Sequence, residues 1–248
     1  MGPADQEGTS GYSRVLLKLS GEALGGEAGF GLDPRMLDHV TRQVAAARAL
    51  GVEVAIVVGG GNFLRGATLS AAGFDRVMGD RMGMLATLLN ALALTNTFAS
   101  AGIGTLALSA VEAKGVIDPY RREVAAEALS QGRVVILAGG TGNPFFSTDT
   151  AAALRAAELG AGALLKATKV DGVYDRDPVR DPSARRFDSL TYHEVVERSL
   201  GVMDLTAVTL CQENRIPIVV FNLYTDGALT QVLRGEEVGT TIGAEVST

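Results

Sequence analysis

Four short segments place glycine, lysine, asparagine or hydroxyl residues where an apolar run ends, three of them with glycine. They are Lys18-Leu19-Ser20-Gly21, Gly59-Gly60-Gly61-Asn62, the Gly-Gly-Thr-Gly-Asn-Pro stretch at 139–144, and Lys166-Ala167-Thr168-Lys169. Glycine lets backbone N–H groups approach an oxyanion closely, and a helix opening at such a turn adds a favourable dipole. A single turn of this kind is common in α/β proteins, where it does no more than link a strand to a helix. Four together, two with lysines, describe a site for a polyphosphate. Lys18 stands in the apolar run Val15-Leu16-Leu17-Lys18-Leu19, where a charge is costly unless its head meets an anion. Phosphoryl transfer asks for positioning and charge neutralisation, which lysines, backbone N–H groups and Mg²⁺ supply.

The residues that are missing narrow the chemistry. His39 and His193 are the two histidines; both read as surface residues of polar helical stretches, and neither adjoins a nucleophile or a metal-ligand partner. An alcohol acceptor usually needs such a base, whereas a phosphate acceptor is already ionised near neutrality, its second pKa being about 6. Asp149, Asp177 and Asp204 are the carboxylates placed for metal or lysine-orienting work, although Asp149 and Asp204 each stand at a helix start, where capping alone accounts for them. Asp171, Asp175, Asp177 and Asp181 lack calcium-loop spacing and are interrupted by Pro178 and Pro182. No G-x-x-x-x-G-K-[ST] occurs, and the one match to G-x-G-x-x-[GA], at Gly102, Gly104 and Ala107, leads into a strand rather than a helix.

The elements that must hold these residues alternate. Short β-rich runs at 14–20, 52–58, 105–111, 134–138, 163–170 and 217–221 are separated by helical patterns at 34–50, 75–99, 120–131, 149–159, 192–200, 204–214 and 227–233. Such alternation predicts a three-layer α/β/α fold around a mainly parallel sheet, in which ligands bind at the carboxyl ends of the strands. The polar segment 171–188 reads as an excursion over a ligand or as a plain surface hairpin.

Length and composition fit a compact chain, either one large α/β domain or two closely packed lobes. The 248 residues are 47% hydrophobic and 20% charged, and the mean hydropathy of +0.22 excludes a disordered chain. A net charge of -6 argues against a general nucleic-acid binder. Residues 1–11 read as a flexible leader and 12–248 as a single domain. With one cysteine, Cys211, in a helix interior, no internal disulfide forms, and a reduced cytoplasmic setting is expected. The uncharged stretch 82–111 carries too many polar and glycine positions for a membrane span and reads as a buried helix running into a buried strand.

Longer motifs carry a family resemblance. LLKLSGEAL (16–24), GFGLD (29–33), VVGGGNFLRG (57–66), RVMGDRMGMLAT (76–87), GTGNPFFSTDTAA (140–152), LKATKVDGVYDRDP (165–178) and VMDLTA (202–207) occur in order. From about residue 12 to 241 the chain resembles the bacterial UMP kinases, a branch of the amino acid kinase family. Other branches, with carboxylate or carbamate acceptors, would share the opening lysine and the GGG turn; a non-catalytic nucleotide sensor could use the same fold.

The resemblance implies an amino acid kinase-like fold that moves the γ-phosphoryl group of ATP to UMP in pyrimidine nucleotide biosynthesis. It implies an ATP side built by Lys18, Leu19, Ser20 and Gly21 with Gly61 and Arg65, the base and ribose meeting Thr168, Tyr174 and Asp177. The UMP side corresponds to Gly60, Asp80, Thr141, Gly142, Asn143, Pro144, Phe145, Phe146, Ser147 and Thr148. Acceptor residues thus fall mainly within 57–148, and ATP residues within 18–21 and 165–222. Lys18 and Lys169 would stabilise the transition state, Asp204 would orient a lysine, and Mg²⁺ would bridge the ATP phosphates with Asp149 a candidate ligand. The resemblance also implies a homohexamer activated by GTP and inhibited by UTP. Residues 95–106 carry none of the His and Arg of the family's effector segment, although Arg133 stands where a further arginine would.

Overall fold

The computed structural model describes residues 11–64 and 73–243. Among these residues, nine strands form one sheet in the order β4-β3-β5-β2-β1-β6-β10-β11-β9. Its centre is β1 (Arg14–Leu19), between β2 (Glu53–Val58) and β6 (Ala163–Thr168). Beyond β2 lie β5 (Val134–Ala138), β3 (Thr105–Ser109) and the two-residue β4 (Asp118–Pro119); beyond β6 lie β10 (Ile218–Asn222), β11 (Thr240–Gly243) and β9 (Ser189–Thr191). Pairing is parallel from β4 to β10 and antiparallel only between β10 and β11.

The three-layer expectation is met, and side-chain alternation shows it. Val15, Leu17 and Leu19 of β1, with Val54, Ile56 and Val58 of β2, enter one core with α2 (Pro34–Ala49), α3 (Arg76–Ser100) and α8 (Ala228–Leu233). Leu16, Ala55, Val57 and Leu164 point the other way, under α4 (Arg122–Ser130), α5 (Thr148–Leu159), α6 (Tyr192–Glu197) and α7 (Leu205–Glu213). A sheet buried on both faces needs near-continuous apolar strands, which is what these runs supply. The short helix α1 (Gly21–Leu24) follows β1 directly.

Several expectations change. The edge strands β4 and β9, and β11 next to β9, were not legible as runs, because short strands at the margin of a sheet need no two-sided apolar pattern. Segment 171–188 forms the hairpin: β7 (Val173–Tyr174) and β8 (Arg186–Phe187) pair as an antiparallel ribbon, and residues of the β7 arm line a cleft. His39 is buried, not exposed; its Nε2 lies 2.6 Å from the Leu223 carbonyl oxygen and its Nδ1 3.3 Å from Asp226, so polar partners offset its burial. His193 is on the surface. The stretch 82–111 becomes most of α3 and then β3, yet α3 is buried along one side only: Leu88, Ala91, Leu94 and Phe98 enter the core while Leu85, Leu89 and Leu92 stay exposed. It is the one helix among the described residues long and apolar enough to cross a membrane, and 44% of that window is buried in the fold. Cys211 lies inside α7, and burial pushes its thiol up to about 12. Most of the proposed leader, residues 1–10, lies outside the described residues; Gly11 donates its N–H to Leu233.

Candidate active site

The site lies at the carboxyl ends of β1, β2, β5 and β6. Two turns bring their backbones into contact. A Cβ on Gly21 would meet the Gly61 nitrogen at 2.6 Å, and one on Gly60 would meet the Gly83 carbonyl oxygen at 2.7 Å. Only glycine permits that approach. Asn62 and Asn90, both fully buried, brace the turn: Asn62 donates to Asn90 at 2.9 Å and to the Gly31 carbonyl, and Asn90 donates to Gly59.

Lys18 and Lys166 are register partners on β1 and β6. Each occupies a position that strand alternation assigns to the core under α5 and α7, two residues beyond Leu16 and Leu164 respectively. What makes them tolerable there is Asp149, in the first turn of α5. Lys18 Nζ lies 2.8 Å from Oδ1, and Lys166 Nζ donates to Oδ2 at 2.7 Å and also to the Val202 carbonyl. Burial pushes the Asp149 carboxyl up, but the two ammonium groups outweigh it and hold it below the usual carboxylate range. Lys166 is held below the ordinary lysine value by burial, helped by the charge of Lys18 and opposed by Asp149. Oδ1 of Asp149 is buried and has no well-formed hydrogen bond among the described residues.

Asp149 is not a helix cap. Ser147 caps α5, its Oγ accepting from the N–H groups of Asp149 and Thr150. Asp204 caps α7 through the Ala207 N–H at 3.0 Å and takes the Ser147 and Thr150 hydroxyls. Asp204 makes no direct ion pair with a lysine among the described residues, although its charge, like that of Asp149, opposes the effect of burial on Lys166; it anchors the start of α5, and Asp149 is the carboxylate in direct contact with both lysines. Lys169 sits on an exposed bend with no ion pair among the described residues. Lys166, which the sequence placed in the same strand-end segment without a catalytic role, stands beside Lys18. The signal was there, since Lys166 interrupts the run Ala163-Leu164-Leu165 just as Lys18 interrupts its own.

Two clefts flank the lysines. One, of about 150 Å³, is lined by Gly60, Gly61, Asp80, Thr141, Asn143, Phe146 and Thr148, together with Leu64, Gly140 and, on α3, Gly79, Gly83, Met84 and Thr87, which lie within the 76–87 motif but had been given no role. The other, of about 530 Å³, includes Lys166, Thr168, Tyr174, Asp177, Arg198, Leu200 and Val202, beside the β7 arm of the ribbon. Asp149 directly follows Thr148 of the first cleft and holds Lys166 of the second, so the charged triad stands between them.

The remaining candidates fall around this frame. Leu19 is wholly in the core and can offer only its backbone. Ser20 accepts from the Ala23 N–H and caps α1. Gly142 packs against the Ala110 carbonyl. Phe145 projects its ring outward at a backbone φ of 71° and gives its N–H to Asp80, and Pro144 precedes it in the same turn. Arg65 lies outside the described residues.

Residues 13–222 match the model of the amino acid kinase family. A uridylate kinase of Pseudomonas syringae pv. syringae is 54% identical over 231 residues, 93% of this chain and 94% of that protein. One from Legionella pneumophila is 54% identical over 233 residues, 94% of each. Among solved structures, UMP kinase from Bacillus anthracis superposes with a TM-score of 0.92 at 37% identity, covering 95% of this chain and 97% of the other. UMP kinase from Ureaplasma parvum gives 0.87 at 34%, covering 93% and 98%. The likeness expected from the motifs therefore extends over nearly the whole chain, and the protein belongs to the amino acid kinase family.

Proposed function

We propose that the protein transfers the γ-phosphoryl group of ATP to UMP, giving UDP and ADP in pyrimidine nucleotide biosynthesis. The carrying observation is the Lys18–Asp149–Lys166 triad standing between two clefts. The larger takes the nucleotide donor, with Thr168, Tyr174 and Asp177 toward its base and ribose; the smaller takes the acceptor. The identity of the acceptor rests on the uridylate kinase relatives.

A phosphate oxygen of dianionic UMP attacks the γ-phosphorus, the bond to the bridging oxygen breaks, and ADP leaves with that electron pair. No proton has to be removed first, consistent with a site lacking a histidine base. Lys18 and Lys166 neutralise charge on the phosphoryl oxygens, and Asp149 keeps both ammonium groups aimed. Mg²⁺ fits as an ion carried by ATP, because no cluster of three or more Asp, Glu, His or Cys among the described residues could hold it alone. Asp149 Oδ1, paired with Lys18 at 2.8 Å, meets no second donor among the described residues and is the protein oxygen that could meet it. When bound, the ion offsets negative charge on the phosphates.

The proposal extends to a cytoplasmic homohexamer with GTP as activator and UTP as inhibitor. Met78, Leu85, Leu89 and Leu92 expose apolar surface on one helix, the kind of stripe that a second copy covers. Arg48 and Arg133 line a cleft of about 210 Å³ at the opposite end of the strands, where an effector phosphate would find two guanidinium groups.

ADP release measured with UMP, CMP, aspartate and acetylglutamate tests the acceptor: turnover with UMP is expected, and turnover with a carboxylate but not UMP overturns the reading. A GTP titration that leaves both rate and UMP affinity unchanged would remove the effector proposal.

A further inference from the structure

Arg76, at the first position of α3, reaches back to the acceptor cleft through Asp80. Its Nε donates to both carboxylate oxygens, at 3.0 and 2.9 Å. On an exposed helix such an i,i+4 pair is normally a minor surface contact. Three further features set this one apart. Asp80 is well covered, its side chain only 18% exposed, and it lines the acceptor cleft. Its Oδ2 also accepts the Phe145 N–H at 2.7 Å, tying α3 to a turn 65 residues away in sequence. The Arg76 guanidinium lies over the Phe145 ring, 5.5 Å from its centroid, and Phe145 is one of three non-glycine residues among those described with positive φ.

A phenylalanine in the left-handed region is strained and persists only where its surroundings hold it. Here Asp80 holds the N–H and Arg76 faces the ring, so one side chain braces both the carboxylate and the turn. With Oδ2 filled by two donors and Oδ1 by one, Oδ1 keeps capacity for one hydroxyl from the cleft.

We propose that Arg76 is a positioning residue of the acceptor site, fixing Asp80 so that Oδ1 faces an acceptor hydroxyl and locking the Phe145 turn that closes the cleft. This rests on the reading of UMP as acceptor. Arg76 itself touches no substrate in this scheme.

The test is steady-state kinetics of wild type, Arg76→Ala, Arg76→Lys and Arg42→Ala, with UMP and ATP varied separately. Arg42, about as exposed as Arg76, forms an i,i+4 pair on α2 with Asp38, an exposed carboxylate away from both clefts, and serves as control. Arg76→Ala is expected to raise KM for UMP about tenfold, with kcat and KM for ATP within about twofold, the split of a lost acceptor-side contact. Arg76→Lys should recover only part of that loss, since a lysine restores the charge but not the planar group that meets Asp80 and faces Phe145, and Arg42→Ala should change nothing. An unchanged KM for UMP in Arg76→Ala, an equal rise for ATP, or an equal effect of Arg42→Ala would overturn the proposal. Wild type is read first: no turnover with UMP sinks the functional reading and this inference with it, whereas turnover with an indifferent Arg76→Ala sinks the inference alone.

Discussion

Lys18 and Lys166 face each other across the β1–β6 register, two like charges side by side on a buried face. Neighbouring positions in parallel strands project to the same side, so the two ammonium groups cannot avoid one another; only a shared counter-charge makes the pair tolerable. Asp149 supplies it with one oxygen for each lysine. When a phosphoryl group arrives, the same three residues already stand in place and no reorganisation is needed.

That arrangement predicts which lysines matter. Lys18→Ala and Lys166→Ala should each lower turnover by about 10²–10³-fold, the usual effect of losing one preorganised charge-stabilising group. KM for UMP should move far less, and Lys169→Ala, removing an exposed side chain, should cost under about tenfold. A coupled ADP-release assay separates the three; equal loss of turnover and UMP affinity in Lys18→Ala would contradict its role.

Asp149→Asn should impair turnover and stability together. Removing one partner of a buried ion pair leaves an uncompensated charge, at a cost of about 3–5 kcal/mol, and here two lysines lose their partner. Urea denaturation of wild type and variant near pH 7 measures it, and an unchanged midpoint would count against the triad as the structural centre of the site.

The pH dependence follows from the same groups. Lys166 is depressed from the ordinary 10.5, so activity that needs its charge should fall as pH rises through a value below 10.5. Its buried charge lowers stability at neutral pH, because the unfolded chain binds that proton more tightly, and the penalty is relieved as pH rises from the folded value to 10.5. Asp149 works in the other direction: its carboxyl is held below 3.8, so its contribution to stability is present above 3.8 and lost as pH falls through the folded value. An alkaline limb of kcat at or above 10.5 would exclude Lys166 as the titrating group, and Asp149→Asn should lose its share of the acid destabilisation.

Asp80→Ala should raise the UMP requirement by about 10–100-fold, the equivalent of one hydrogen bond to a charged group, with a smaller effect on ATP. Separate KM measurements for the two substrates check this, and an ATP-selective defect would place Asp80 on the wrong side of the triad.

Much of this protein could be read along the chain. The six central strands and seven longer helices were visible from their apolar periods, and Lys18, Asp80 and the 141–148 turn from motif and chemistry. The edge strands were not, since their pairing is decided by whichever strand reaches them. His39 looked like a surface residue because its partners, Leu223 and Asp226, lie some 185 residues away in sequence.

The sequence by itself determined the alternation that makes a doubly covered parallel sheet, and the glycines that allow its strand ends to touch; both are local properties of residue type and period. Which lysine joins Lys18, and which carboxylate serves them, only the tertiary structure decided. Lys166 rather than Lys169 faces Lys18 because strand register sets which side chains share a face, and Asp149 rather than Asp204 lies between them because α5 packs its first turn over that face. Register and packing are relations between distant segments, and no window along the chain contains both sides of them.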